Sequence, residues 1–429
     1  MARSRTPLLA AASALVVGIA AGVGVLYLRS SDEAVETARQ TGPGFAHVWI
    51  DADGGRCSRS DEPAAYEDGG ACESLAEAYD AASLGDTVRL AKGTYGGQAI
   101  AAEEPKGDPD TVLERIVFLP ADDVPGSVVF TGTIEVLAPH VELRRLSVPE
   151  ETIIVRYRSD SENERAGNVH LVENDVGKIQ VNSVWNFRLA GNDVGPREDS
   201  DGIDIYAYPP DDGHHPRNGI IEDNDVHDHS LSPGSSEHID AIQLTAGEDI
   251  VIRRNKLRAY HHQGILAKTD QGPIVNLTIE NNWIDAPVEP GFSLQLHQTS
   301  RELTGTVVRY NTFLRAPNPR PADSEMGDGV MYGNLWPEMA PFACEQWTDN
   351  AWDASYNVSE SGPPCGGDPY VLTGGDPFVD RNAFDLRLVD GAEARERGDP
   401  DRCPDDDLER TLRPLPAGTT CDAGAHERP

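Results

Sequence analysis

The densest collection of groups able to do chemistry lies between residues 199 and 297. Four segments there align on their apolar positions as one stack: DSDGIDIYAY from Asp199, HIDAIQLTAG from His238, HHQGILAKTD from His261 and PGFSLQLH from Pro290. In that alignment Asp199, His238 and His261 share a column. Asp201, Asp240 and Gln263 share the next outward-facing one, Asp204 stacks with Gln243, and Lys268 lies further along beside Tyr206 and Gln295. Adjacent parallel strands run about 5 Å apart, so side chains in these columns converge on one substrate or ion. Asp201, Asp204 and Asp240 offer hard oxygen ligands of the kind Ca²⁺ prefers. His238 is a candidate base because imidazole titrates near neutrality, with Asp240 or Asp199 to orient its ring. Lys268 is the rival base, given cationic neighbours or burial to lower its pKa. Tyr206, Gln243, His261, Gln263 and Gln295 complete the set as candidate substrate contacts. The plain alternative is that these polar side chains face water, and a register shift of one residue turns every one of them inward.

Positioning such columns requires a repeat, and one is present. Two or three residues, then Asn, any residue and an apolar residue recur at Asn174, Asn192, Asn224, Asn255, Asn282, Asn311, Asn334 and Asn357. The successive spacings of 18, 32, 31, 27, 29, 23 and 23 residues suit coils of fixed short strands joined by loops of variable length. The expected fold is all-β, a parallel β-helix solenoid with a short N-terminal capping helix. Asn at each bend links its amide to the coils above and below, and tolerates a left-handed backbone. Ser74 and Glu77 form a capping box for a helix over Glu73 to Leu84, whose Leu75, Tyr79 and Ala82 share a face able to plug the first coil. The organisation read from these signals is a cap and first coil over 47–114, coils over 115–360 and a C-terminal cap over 361–429.

Acidic residues outnumber basic ones 72 to 36, and a formal charge of -36 argues against nucleic acid, which is bound through Lys and Arg. The same balance opposes polyanionic polysaccharides in bulk, unless a bound cation or a local basic patch such as Arg253, Arg254, Lys256 and Arg258 inverts the field. A polar loop from Pro209 to His229 collects His214, His215, His227 and His229 among Asp211, Asp212, Asp223, Asp225 and Asp228, in no specific ligand spacing. Residues 1–34 carry Arg3 and Arg5, then an uncharged run from Leu8 to Leu28, followed by a linker over 35–46. The run is near the ~20 residues needed to span a bilayer, so an uncleaved anchor is favoured over a cleaved signal peptide. The rest of the chain then stands on the extracellular face of the membrane, or is secreted if the segment is removed. Membrane contact is expected through that segment only, and the protein is expected to be a monomer. Six cysteines fall into local pairs, Cys57 with Cys72, Cys344 with Cys365 and Cys403 with Cys421. Such bridges suit an oxidising compartment and the under-supported ends of a solenoid.

VWIDADGGRC and ACESLAEAYDAASLGDTVRLAKGTY resemble the N-terminal cap of exported bacterial right-handed parallel β-helix proteins, the pectate-lyase-like superfamily. FDLRLVDGAEARERGDPDRC and CDAGAHE at 421–427 resemble the motif that closes many such helices, with departures at Ala392, Glu396 and Arg410. The resemblance implies a right-handed solenoid with polysaccharide as its partner. Members cleave uronate polymers, bind sugar chains or serve as structure. In the lyases a Lys or Arg commonly takes the proton in β-elimination, and Ca²⁺ held by Asp201, Asp204 and Asp240 would bridge to a substrate carboxylate. SDGIDI at 200–205 slightly resembles the Asp motif of β-helix polygalacturonases, but the paired Asp-Asp with Cys and the Gly-His-Gly of that group are lacking. Hydrolysis therefore ranks below elimination, and a non-catalytic envelope scaffold is the alternative from another class.

Overall fold

The computed structural model describes residues 44–428 apart from 159–160, 162–163, 211–212, 289–290, 300, 316–317, 320–327, 337–351, 360–369 and 372–374. The chain winds as a right-handed parallel β-helix, and almost every strand pairs in parallel with its counterpart in the next coil. Each coil has three sides. In the coil around Asn255 these are Gly247–Arg253, the two-residue strand Lys256–Leu257 after the bend, and Gln263–Lys268. The first side runs through successive coils from Val48–Ile50 to Trp352–Ser355.

The third side carries the candidate site. Its relevant strands are β1 (Asp175–Asn182), β2 (Ile203–Tyr206), β3 (Asp240–Leu244), β4 (Gln263–Lys268) and β5 (Phe292–His297). Their register is set by inward apolar residues. Ile179, Ile203, Ile242, Ile265 and Leu294 stack in one row, all fully buried. Val181, Ile205, Leu244, Ala267 and Leu296 form a second buried row. Each such aliphatic side chain contributes about 1.5–3 kcal/mol by leaving water, which a one-residue slip would forfeit along the whole strand.

The asparagines form a continuous ladder. Asn255 Oδ1 accepts from the Asn224 backbone N–H (3.1 Å) and Nδ2 (2.9 Å), and Asn255 in turn donates to Asn282 Oδ1. The same pattern links all eight residues from Asn174 to Asn357. One expectation is corrected. The left-handed conformation belongs to the residue before each ladder Asn, as at Asp223, Arg254, Asn281, Tyr310 and Tyr356, or to Gly191 and Gly333. The Asn is present for its amide, which satisfies backbone groups that the bend would otherwise leave buried and unpaired.

The capping helix α1 spans Leu75–Ala81, shorter than the expected 73–84. Ser74 Oγ accepts from Glu77 N (3.2 Å), and Glu77 Oε2 reaches back to Glu73 N (3.0 Å). Asp86 ends the helix by taking the Ser83 N–H (2.7 Å). Leu75, Ala78 and Tyr79 are buried in the main core, and Tyr79 donates to the Pro139 carbonyl.

Disulfides join Cys57 to Cys72 and Cys403 to Cys421, whereas Cys344 and Cys365 lie outside the described residues. The C-terminal segment lies along the flank of several coils. Tyr310 donates to Asp399 O, Asn281 to Asp406 O, and Ala425 N to Thr312 Oγ1. Its Leu408, Ala423 and Ala425 join Trp283, Leu335 and Val358 in a second apolar cluster. The proposed membrane segment also lies outside the described residues; among those described, no helix is long and apolar enough to cross a membrane.

Candidate functional site

At the start of β2 to β5 the chain turns so that Gly202, Ala241, Gly264 and Ser293 sit against the core. A Cβ on Gly202 would meet Val226 Cγ1, and one on Gly264 would meet Ile284 Cγ2. The residues before them therefore point outward, as do the residues after the inward isoleucines. Two outward columns result. One runs Asp201, Asp240, Gln263 and Phe292; the other runs Gln180, Asp204, Gln243, Leu266 and Gln295. Both contain the stackings expected from the apolar alignment.

Asp201 Oδ1 accepts from the Asp240 backbone N–H (2.7 Å), and Asp240 Oδ1 accepts from Gln263 N (3.0 Å). Gln243 Nε2 donates to both Asp201 Oδ2 (3.3 Å) and Asp240 Oδ2 (3.4 Å), so one amide ties the two carboxylates together. Asp240 is fully buried. Burial, reinforced by Asp204 and Asp240, pushes Asp201 up to about 8. Burial likewise raises Asp240 to about 7 against the hydrogen bonds from Gln263 and Gln243, with Asp204 adding repulsion. Near pH 7, in the absence of another cation, Asp201 therefore favours its neutral acid, while Asp240 lies close to its midpoint.

Sequence reasoning missed Lys178. Its Nζ lies 2.6 Å from Asp204 Oδ2, which also accepts from Gln180 Nε2 (3.2 Å), while Asp204 Oδ1 is buried without a hydrogen-bond partner. The signal was available, because Ile179 stacks directly under Ile203 and extending the alignment one coil toward the N-terminus brings Lys178 and Gln180 to the site.

Several expected contacts are not formed. Asp199 turns away on a left-handed backbone, and its carboxylate accepts from the N–H and hydroxyl of Ser232. His238 is exposed and stacks on His262 at 4.1 Å, while His261 meets His262 at 5.3 Å. No hydrogen bond links His238 to Asp240 or Asp199 among the described residues. Gln295 falls in the column of Leu266, not beside Lys268, and its Oε1 accepts from Gln263 Nε2 (2.9 Å). Lys268 pairs across coils with His297, its row holds Tyr206 and Thr245, and its Nζ lies 2.7 Å from Asp270. Tyr206 is half-buried, and burial raises its phenol.

Two surface expectations change as well. The stretch from Pro209 to His229 contains the strands Arg217–Glu222, Asp225–Val226 and His229–Ser230, so its second half is part of the coil. His227 bridges Asp193 and Asp228, and His229 is buried; Asp211 and Asp212 lie outside the described residues. The basic patch is neutralised. Arg253 pairs with Glu222, Arg254 with Glu222 and Asp223, Arg258 with Asp225, and Lys256 lies over the Trp283 ring. Among the described residues, the carboxylates whose oxygens all lie within 4.8 Å of one another are Asp51, Asp53 and Asp68 in the N-terminal cap, not Asp201, Asp204 and Asp240.

No protein-family model matches the sequence, and no curated protein matches it. In shape the chain is similar to the pectate lyase Pel9A, at 12% identity over 89% of this chain and 96% of that one, with a TM-score of 0.50. It is also similar to the A-module of the Azotobacter vinelandii mannuronan C-5 epimerase AlgE4, at 9% identity over 65% and 80% of the two chains and a TM-score of 0.36. PfbA, a surface adhesin of Streptococcus pneumoniae, matches at 10% identity over 64% and 71%, with a TM-score of 0.34. Together with the parallel coils, the first likeness identifies the chain as a right-handed parallel β-helix of the pectate-lyase-like fold.

Proposed function

We propose that the protein is an extracellular polysaccharide-acting enzyme that cleaves a uronate-containing polymer by β-elimination on the outward face of β2 to β5. The gathering of Asp201, Asp204 and Asp240 with Lys178 and Lys268 on neighbouring coils carries this reading. The likeness to a pectate lyase over nearly the whole of both chains supports it. The N-terminal apolar segment would hold the enzyme at the outer face of the membrane.

Asp201, Asp204 and Asp240 offer hard oxygen donors and Asp204 Oδ1 has no partner among the described residues, but one oxygen from each does not come within 4.8 Å of the others, so holding a divalent cation would require the three carboxylates to close in. Bound by Asp201, Asp204 and Asp240, Ca²⁺ would neutralise a uronate carboxylate and make the adjacent C5–H more acidic. The remaining work falls to side chains. Lys268 Nζ takes the C5 proton, the C5–H electron pair becomes the C4–C5 double bond, and the glycosidic oxygen leaves C4 with a proton from water. Lys268 and Lys178 are each paired with a carboxylate, Asp270 and Asp204, and Lys268 is favoured because it is half-buried where Lys178 is only 9% exposed; it acts once it has left Asp270 and given up its ammonium proton. It is favoured over His238, whose ring stacks on His262 and has no hydrogen-bonded carboxylate among the described residues. Gln243 and Gln263 hold sugar hydroxyls beside the reacting ring.

The test is ultraviolet absorbance of the full-length chain incubated with uronate polymers, with and without Ca²⁺. Unsaturated product that disappears in Lys268→Ala and Asp240→Ala, with the β-sheet circular dichroism retained, is the expected result. No unsaturated product from any uronate polymer refutes elimination, and release of new reducing ends in its place would indicate hydrolysis.

A further inference from the structure

The outward columns change character on the C-terminal side of the carboxylates. The column of Asp201 and Asp240 continues as Gln263 and Phe292, and that of Asp204 and Gln243 continues as Leu266 and Gln295. Over those two coils neither column contains a charged side chain. Of the cations around them, Lys268 lies in the next row, paired with Asp270, and Arg315 lies on the adjoining coil, where its backbone N–H donates to Ser293 Oγ.

Hydrogen-bond accounting points the same way. Gln263 is 7% exposed; its Nε2 donates to Gln295 Oε1, and its own Oε1 is buried with no partner among the described residues. A buried unpaired acceptor requires a donor. A sugar hydroxyl supplies one, so this position takes a sugar through its hydroxyls and not through a carboxylate, which offers only acceptors. Phe292 and Leu266 are both half-buried, leaving apolar surface exposed beside this amide. Such surface suits the C–H face of a pyranose ring. A uronate here would set its charge against the apolar side chains of Phe292 and Leu266 and the Gln263 carbonyl oxygen.

One coil advances about 4.8 Å, close to the rise of one sugar in an extended chain. We infer that Gln263, Leu266, Phe292 and Gln295 form a subsite for a neutral sugar next to the carboxylates, so that the substrate is a heteropolysaccharide with uronates separated by neutral residues, not a homopolyuronate. The inference rests on the proposed polysaccharide function but not on the elimination chemistry.

Binding therefore tests it independently of turnover. The full-length Lys268→Ala chain is run by affinity electrophoresis in gels containing gellan, in which glucuronate is flanked by neutral sugars, or polygalacturonate, or alginate, each with Ca²⁺. Gellan is expected to retard the protein at about tenfold lower concentration than either homopolyuronate, a difference of about 1.4 kcal/mol. Phe292→Ala and Gln295→Ala, each checked by circular dichroism, should weaken retardation by gellan and leave any residual retardation by polygalacturonate unchanged. Equal or tighter binding of polygalacturonate or alginate overturns the inference, as does failure to bind any of the three. Gellan that the wild-type chain binds but never converts to unsaturated product would refute elimination while leaving the neutral subsite intact.

Discussion

Replacing Asn255 by Ala isolates the contribution of the bend ladder. The Asn255 side chain makes five hydrogen bonds: it accepts from Asn224 N and Nδ2, and donates to Ile221 O, Arg253 O and Asn282 Oδ1. All lie in a bend where Asn255 itself is fully buried, so water does not replace them. The two Nδ2 hydrogens serve three acceptors, so the set amounts to four full bonds, and at about 1 kcal/mol net per bond the substitution costs about 4 kcal/mol. Asn174, at the N-terminal end of the ladder, makes three such bonds, to Leu146 N, Leu143 O and Asn192 Oδ1, and its replacement should cost about 3 kcal/mol on the same scale. Urea unfolding followed by circular dichroism measures both. Amide exchange adds a local reading, because the Asn224 N–H loses its acceptor and should lose protection before the rest of its coil. A cost for Asn255→Ala below about 1 kcal/mol, or equal to that of Asn174→Ala, would refute the assignment of the asparagines as cross-coil supports.

Lys178→Met removes the cation from a nearly buried carboxylate, and should cost about 3–5 kcal/mol, most of it recovered in the Lys178→Met, Asp204→Asn double variant; additive losses in urea unfolding would show that the two side chains are not coupled. Gly202→Ala places a Cβ 2.4 Å from Val226 Cγ1 and 2.7 Å from Ala241 O, so it should destabilise by about 1–3 kcal/mol and abolish turnover by displacing the adjoining Asp201; a fully active variant would contradict the close packing. His140 is fully buried, and burial pushes its imidazole down from 6.5 to about 4. The folded value lies below the unfolded one, so the unfolded chain takes up the proton first. This contribution is intact above about pH 6.5 and is lost by about pH 4, roughly 3 kcal/mol in all. Unfolding at pH 7 and pH 4.5 should therefore show a shallower acid loss in His140→Leu, and an unchanged slope would exclude His140 as a contributor.

The reach of the sequence reading follows the reach of the core. Asp201, Asp204, Asp240, Gln243 and Gln263 could be placed because each adjoins a residue whose burial admits one register; moving Ile242 outward would carry Gln243 into the apolar interior. Asp199 lies beyond that control. It sits in the bend before β2, where a left-handed φ of 51° sends its carboxylate to Ser232, and no apolar neighbour announced that turn. Lys178 was overlooked because it lies one coil before the Asp199 segment, outside the four aligned stretches, although Ile179 stacks on Ile203 in unbroken register. The apparent basic patch shows the same limit for charge. Arg253, Arg254 and Arg258 are adjacent in sequence, but the carboxylates that neutralise them come from the preceding coil, 31 to 33 residues away.

The same geometry explains how a reaction site persists on a scaffold with irregular repeats. Asp201 and Asp240 are separated by 39 residues, and Asp240 and Gln263 by 23, yet both pairs meet through one backbone hydrogen bond in the same column. The loops absorb the difference, because the ladder asparagine and the inward aliphatic rows hold each coil whatever the length of chain between them. Chemistry and recognition can then be altered separately. A change at Phe292 or Leu266 modifies the surface next to the carboxylates, while the buried Leu294 and Ile265 that set the register are untouched. Substrate preference in this chain should thus respond to single outward residues, coil by coil, at little cost in stability, whereas replacing the inward partner of the same strand should disturb both.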